Sequence, residues 1–142
     1  MRELDPQIIV NELYEEGDRD LLFFGFIAGP VNYDLDDNSY GKPDEIWFED
    51  VIKLICYLVE TGDFSAGRML ETDCGVKFVP YENGFSEFEA DARQCMHDSG
   101  LHGDALSIGL TIKKVHLRKV APLIPESIRR LLQVAIRPGD FR

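Results

Sequence analysis

Apolar residues recur at helical spacing in three parts of the chain. Asp5-Pro6 is typical of a helix N-cap followed by proline in the first turn, and an apolar stripe continues to a break at Gly17. Residues 44–61 give the clearest helix, because their apolar positions recur at spacings of 4, 3, 1, 3 and 1 and share one face. Pro125-Glu126 predicts the start of a last helix, which ends at Pro138-Gly139. The shared face of the central helix holds Trp47, Val51, Leu54, Ile55, Leu58 and Val59.

Two other apolar segments lack helical spacing. Residues 21–28 form an apolar run for which we predict a short buried helix, with a strand as the alternative, because periodicity does not separate the two. Residues 106–112 alternate apolar and polar side chains, which predicts a half-buried strand. The apolar phase slips at Lys113-Lys114, and a β-bulge there would explain the slip.

Turn and cap residues delimit the remaining elements. Residues 68–81 predict a β-hairpin, and residues 32–43 predict a loop. Ser86 and Glu89 fit a capping box that opens a helix over residues 86–99. Together these elements predict an α+β fold, in which four to five helices pack on a small antiparallel sheet of about three strands.

The composition is that of an ordinary globular domain. The chain has 142 residues, of which 44% are hydrophobic and 29% charged, so we expect one domain over residues 1–142. The N-terminal sequence does not read as a secretory signal, and no apolar run reaches the length of about 20 residues that spans a bilayer. Three cysteines without close pairing argue against a disulfide scaffold. We therefore expect a cytoplasmic protein that does not enter membranes.

The charge is strongly negative and unevenly distributed. The net charge is −11; residues 1–111 carry 24 acidic and 7 basic side chains, whereas residues 112–142 carry 2 acidic and 8 basic ones. Such asymmetry indicates where charged partners would dock, although it says nothing about the fold.

Carboxylates and aromatic residues are interleaved between residues 33 and 50. The rings would provide contact area and the carboxylates would steer a basic partner, which together predict a protein-binding surface. In the alternative interpretation, Trp47 and Phe48 are core residues and the acids only keep the protein in solution. The carboxylates are Asp34, Asp36, Asp37, Asp44, Glu45, Glu49 and Asp50, and the aromatic residues also include Tyr33 and Tyr40. Glu49 is in addition placed for an i,i+4 ion pair with Lys53.

Basic residues dominate the C-terminal part of the chain and are candidates for phosphate binding. However, an acidic protein repels a polyanion at long range, so we favour pairing of these cations with the acidic remainder of the molecule. Nucleic acid is accordingly not the expected partner. The cations concerned are Lys113, Lys114, Arg118, Lys119, Arg129 and Arg130.

Asp34-x-Asp36-x-Asn38, with Glu45 at the twelfth position, partly matches a calcium-binding loop. Ser39 occupies the sixth position, where the sharp turn of such a loop needs glycine. A solvated acidic loop is therefore the favoured interpretation.

Cys95, His97 and His102, with Cys74 as a further candidate, supply residue types that bind zinc. Their spacing is not one of the common structural patterns, and surface histidines beside a buried cysteine are the favoured interpretation. We therefore expect neither a metal site nor a cofactor.

Motifs for catalysis are not apparent in the sequence. It contains no nucleophile elbow, no glycine loop that would hold a phosphate and no protease-type histidine motif. Glu87, Glu89 and Asp91 lie on one predicted helix, where a carboxylate cluster usually forms a solvated face. We expect a protein that is not an enzyme, and an enzyme of unrecognised class remains an alternative.

Residues 46–67 resemble a segment of the small bacterial immunity proteins that accompany contact-dependent inhibition and other polymorphic toxins. The segment reads IWFEDVIKLICYLVETGDFSAG, an amphipathic helix with a glycine stop, and a predicted hairpin follows it. The resemblance covers about 20 of the 142 residues. It implies a cytosolic, non-catalytic inhibitor that binds one cognate toxin tightly. Many such toxins are nucleases, whose basic clefts attract carboxylates.

If this resemblance holds, the acidic surface is the expected contact with a basic toxin. Strand pairing through residues 106–112 is a second route to binding. A nucleic-acid-associated regulator that acts through the basic C-terminal segment is the alternative function. The predicted partner-binding residues are Asp34, Asp36, Asp37, Tyr40, Asp44 and Glu45.

Overall fold

The computed structural model describes residues 5–132, which form an α+β fold as predicted. Within this part of the chain there are six helices and four strands, so the sheet has one strand more than predicted. In chain order they are α1 (Pro6–Arg19), β1 (Leu22–Phe23), α2 (Phe24–Asn32), α3 (Asp44–Glu60), β2 (Phe64–Thr72), β3 (Gly75–Pro80), α4 (Phe85–Ser99), α5 (Asp104–Ser107), β4 (Leu110–Lys114) and α6 (Glu126–Leu132). The predicted continuation of the last helix to Pro138-Gly139 lies outside the described residues.

The four strands form one antiparallel sheet in the order β1-β4-β2-β3. β2 and β3 form the predicted hairpin, which closes where Thr72 pairs with Gly75. β4 lies inside the sheet, because Ile112 pairs with Leu22 on one side and with Ala66 on the other. β3 is therefore the long exposed edge of the sheet, and it ends at Pro80, which has no N–H to offer a further strand.

Helix α3 organises the core, as its apolar spacing predicts. Leu54, Ile55 and Leu58 are fully buried, and each contributes roughly 1.5–3 kcal/mol on burial before conformational entropy is counted. Trp47 and Phe48 are also buried, so the interpretation of these two rings as core residues is confirmed. The Trp47 indole N–H donates to the carbonyl of Ala28, which fixes α3 against α2.

Three predictions from apolar patterns need correction. Residues 21–28 are partly strand and partly helix, since β1 pairs with β4 before α2 begins at Phe24 and continues through Pro30 to Asn32. Residues 106–112 are not one strand: Leu106 is buried in α5, while Ile108 is 54% exposed. The β2–β4 register is continuous up to Lys114, so the slip in apolar phase reflects the end of the strand and not a bulge.

Two predicted side-chain contacts are also wrong. The capping box of Ser86 and Glu89 does not form, because Gly84 turns the chain at a φ of 75° and α4 begins one residue earlier. Glu49 does not pair with Lys53; it accepts hydrogen bonds of 2.6 and 3.0 Å from Arg93 on α4. The N-cap at Asp5 is confirmed, since its carboxylate accepts the backbone N–H of Gln7 at 2.8 Å.

A polar cluster, here termed the polar clasp, joins α1 to the segments before β2 and after β4. It consists of Tyr14, Asp18, Asp63, Lys114 and Lys119. Asp63 is fully buried and accepts the Tyr14 hydroxyl at 2.6 Å, while Lys119 Nζ lies 2.9 Å from its other oxygen. Lys114 is also buried, and its Nζ donates to Asp18 at 2.8 Å and to the carbonyls of Tyr14 and Lys119.

Among residues 5–132, no helix combines the length and the apolar character that a bilayer-spanning segment requires.

Candidate protein-binding groove

A groove of about 570 Å³ lies between α1, α2 and the loop that follows α2. Its walls come from two helical stripes and one loop, so the sheet does not contribute to it. The described residues that line it are Ile9, Glu12, Leu13, Glu15, Glu16, Phe26, Gly29, Pro30, Tyr33, Asp34, Leu35, Asp37 and Tyr40.

The groove exposes large apolar side chains that soluble proteins usually bury. Phe26 is 53% exposed and Leu35 is 46% exposed, and the ring of Tyr33 lies beside them at the end of α2. Gly29 and Pro30 leave space between Phe26 and Tyr33, because neither residue has a long side chain. Gly29 also suits its place before proline in a helix, where a Cβ would meet the proline ring. These exposed apolar side chains make the groove a candidate interaction site.

Carboxylates surround this apolar surface. Glu12 and Glu15 are exposed on α1, and Asp37 is exposed on the opposite loop. Glu16 also lines the groove, and its carboxylate accepts a hydrogen bond of 2.9 Å from Arg19. No basic residue occurs among the described lining residues, so the groove carries a negative potential over an apolar floor.

The loop wall is held in shape by its own polar groups. Asp34 is 7% exposed, and its carboxylate accepts the backbone N–H groups of Asp36 and Asn38 at 2.8 and 2.9 Å. Asp37 has a φ of 61°, a left-handed conformation that aspartate and asparagine tolerate better than most residues. At the end of the loop, Asn32 exchanges two hydrogen bonds with the backbone of Lys42.

Lys42 fixes this loop to two helices. Its Nζ lies 2.7 Å from Asp50 on α3 and donates to the carbonyl of Leu131 on α6 at 2.7 Å. Burial lowers the pKa of Lys42, and the neighbouring Asp50 carboxylate opposes that shift. Asp50 therefore turns inward towards a buried partner, contrary to the expectation that it faces solvent.

The structure divides the predicted partner-binding residues into two groups. Asp34, Asp37 and Tyr40 line the groove, although Asp34 and Tyr40 are largely buried and Asp37 is exposed. Asp36 is exposed on the same loop, outside the groove lining. Asp44 and Glu45 are exposed in the first turn of α3, and Glu45 lines a smaller pocket beside Phe48 and Arg93.

Sequence reasoning missed the α1 side of the groove. Ile9, Glu12, Leu13 and Glu16 are spaced as i, i+3, i+4 and i+7, but only the apolar stripe of this helix, and not its glutamates, was interpreted from the sequence. Phe26 was missed because it lies within an apolar run in which every position looked buried. The sequence did contain a signal for this side of the groove, because Glu12, Glu15 and Glu16 lie on the same helix as the apolar stripe.

The two candidate metal motifs have other uses in the structure. The calcium-like segment is organised by Asp34, which accepts backbone N–H groups as described above. His102 packs its ring against Trp47, with 5.3 Å between centroids, and His97 contacts the carboxylate of Asp98. Over residues 5–132, no three cysteine, histidine or acidic side chains are arranged to hold a metal ion.

Within residues 5–132, three of the six named cations of the basic segment pair with acids of residues 1–111, as the favoured interpretation predicts. Lys114 pairs with Asp18, and Lys119 pairs with Asp63. Arg129 and Arg130 lie 3.4 and 3.3 Å from Asp5 and Glu126, respectively. The predicted acidic cluster on α4 is likewise engaged, because Glu89 binds Arg93 and Asp91 accepts the Tyr81 hydroxyl.

Comparison of the chain with protein-family models, curated proteins and solved structures finds no match.

Proposed function

We propose that this protein is a non-catalytic binding protein that captures a cationic partner protein through the groove between α1 and the loop after α2. The observation that carries the proposal is the combination of exposed Phe26 and Leu35 with Glu12, Glu15 and Asp37 around them. Apolar contact area supplies affinity, whereas the surrounding charge selects a basic partner and raises the association rate.

An immunity protein is the specific form of this function that we propose. The resemblance of residues 46–67 to immunity proteins implies an inhibitor that acts in the cytoplasm on one cognate toxin. A net charge of −11 suits a partner with a basic substrate cleft, such as a nuclease domain. Strand pairing through residues 106–112 is no longer part of the proposal, because β4 is enclosed by β1 and β2.

The proposal is tested by co-purification with the protein encoded in the adjacent gene. We expect a stoichiometric complex whose affinity falls with ionic strength and falls by about tenfold or more when Glu12→Gln, Glu15→Gln and Asp37→Asn are combined. Asparagine at position 37 keeps the left-handed backbone accessible.

The matched control changes three exposed acids elsewhere: Glu71→Gln, Asp73→Asn and Glu82→Gln. It alters the net charge equally but leaves the groove intact, so binding should be nearly unchanged. If both triple variants weakened binding alike, the effect would be one of overall charge, and the groove would not be the site. Absence of any complex would refute the proposed function itself.

A further inference from the structure

We infer that the groove receives an amphipathic helix of the partner, with an apolar side chain seated over Gly29 and Pro30 and with lysines or arginines beside it. This inference rests on the proposed function and specifies the chemistry and shape of the partner segment. It follows from the spacing of the lining residues along α1, from the backbone hydrogen bonds within α1 and α2, and from the positions of the carboxylates.

Side chains of α1 and α2 line the groove, together with Tyr33, which directly follows α2. On α1 the lining residues are Ile9, Glu12, Leu13 and Glu16, and on α2 they are Phe26, Gly29 and Pro30. The α1 residues follow the i, i+3, i+4, i+7 spacing, so they extend roughly 10 Å along their helix. That length accommodates about two turns of a third helix, whose own side chains would pack against α1 and α2.

The backbone chemistry of the walls favours a helical occupant over an extended one. N–H and C=O groups in α1 and α2 are engaged within their helices, so they cannot form a ladder with an added strand. An extended segment over this apolar floor would leave its own polar backbone groups unsatisfied, at a cost of roughly 1–3 kcal/mol each. A helix satisfies those groups internally and presents only side chains.

The charge arrangement fixes which side chains the helix carries. Phe26 and Leu35 are the exposed apolar contacts, so the segment needs an aliphatic or aromatic residue facing the floor. Glu12 and Glu15 on one wall and Asp37 on the other then face the flanks of the bound helix. Cations on both sides of its apolar stripe would pair with these carboxylates, which is the pattern of a basic amphipathic helix.

The test uses two synthetic peptides of about 14 residues, roughly 20 Å as a helix. The first carries leucines at i, i+3, i+4 and i+7 with lysines elsewhere; the second has the same composition in an order that forms no amphipathic face. We expect the first peptide to bind about tenfold or more tightly than the second by calorimetry. Its NMR shift perturbations should centre on Phe26, Gly29 and Tyr33.

Matched variants separate the apolar contacts from simple charge attraction. Phe26→Ala with Leu35→Ala should weaken binding of the first peptide about tenfold, because both side chains are exposed contacts and not core residues. Val76→Ala with Leu117→Ala, which removes two exposed apolar residues elsewhere, should leave binding unchanged.

The helix inference would be overturned if the two peptides bound equally well. It would also be overturned if the variant with Phe26→Ala and Leu35→Ala bound the first peptide as tightly as the wild type does. If the partner protein then still bound through Glu12, Glu15 and Asp37, the proposed function would stand without it. Conversely, groove binding of the first peptide together with no complex with the adjacent-gene protein would support the inference and refute the immunity function.

Discussion

Asp63 shows how a single buried carboxylate can hold three segments together. Burial is the strongest influence and favours its neutral form, yet the hydrogen bond from Tyr14 and the nearby Lys119 ammonium hold the pKa of the Asp63 carboxyl below its ordinary value. Burial, followed by the hydrogen bond to Asp63, raises the pKa of the Tyr14 phenol far above its usual range. Asp63 is therefore an ionised acceptor at neutral pH and Tyr14 a neutral donor.

We expect Asp63→Asn to cost stability at neutral pH and to cost much less in acid. A carboxylate whose folded pKa is depressed contributes stability above its unfolded pKa of about 3.9 and loses it as the pH falls through the folded pKa. Urea denaturation of wild type and variant at about pH 7 and about pH 3 measures the difference in unfolding free energy. An equal difference at both values would contradict a role for the charge, and Asp73→Asn at the exposed hairpin turn is the control.

At the level of single residues, the sequence indicates which side chains carry charge or rings, but it does not show which of them are exposed. The interleaving of carboxylates with aromatic rings in residues 33–50 predicts Asp34 and Tyr40 as surface contacts. In the structure, Asp34 instead turns inward to accept the N–H groups of its own loop. Such local backbone hydrogen bonding depends on a loop conformation that residue spacing does not specify.

Among the elements, those with long periodic patterns are predictable and those set by tertiary contacts are not. α3 was predicted to within one residue because its stripe extends over four turns. By contrast, Leu106 and Ile108 belong to different structures, because a short alternation fits one helical turn as well as a strand. Gly109 lies between Ile108 and β4, and its carbonyl accepts the N–H of Met69 on β2.

At the level of the hairpin, we expect Gly67→Ala to disrupt pairing between β2 and β3. A Cβ at this position would lie 2.5 Å from the Phe78 ring and 2.6 Å from the carbonyl oxygen of Val79, and the backbone cannot retreat without breaking the ladder. Such overpacking costs about 1–3 kcal/mol in unfolding free energy. Chemical denaturation provides the measurement, with Ser65→Ala on the same strand as the control.

The prediction for Gly67→Ala can be contradicted by the same denaturation measurement. If Gly67→Ala left the unfolding free energy unchanged, the Phe78 ring would not cover Gly67 as the structure shows. If Phe78→Ala, combined with Gly67→Ala, recovered the lost unfolding free energy in full, the steric conflict would lie with the Phe78 ring alone and not with the Val79 carbonyl.

Across the whole molecule, opposite charges that lie far apart in sequence meet in space. Lys114 and Asp18 are separated by 96 residues, and Arg129 and Asp5 by 124. These pairs engage two cations of the basic segment, whereas Glu12, Glu15 and Asp37 have no ion pair with any described residue. The charge split was visible in the sequence, but the pairing depends on the fold.

We therefore expect no binding of duplex DNA at physiological ionic strength. Among the described residues of the basic segment, Lys113 and Arg118 are the cations without an ion pair, and two such charges are too few to overcome the repulsion between a net charge of −11 and the phosphates. Fluorescence anisotropy of a labelled duplex measures this directly. Salt-sensitive binding that Lys113→Glu with Arg118→Glu abolished would contradict the expectation and restore the nucleic-acid alternative.

The anchoring of the loop after α2 bears on how quickly a complex can form. Its Asp34 turn and its Lys42 tether are present in the isolated chain, so one side of the docking face does not have to be ordered when a ligand arrives. Fixing mobile side chains costs roughly 0.5–1.5 kcal/mol each on association, and a rigid loop avoids that entropy loss. The association rate would then be limited by diffusion and by the orientation of the two molecules, and not by folding of this loop.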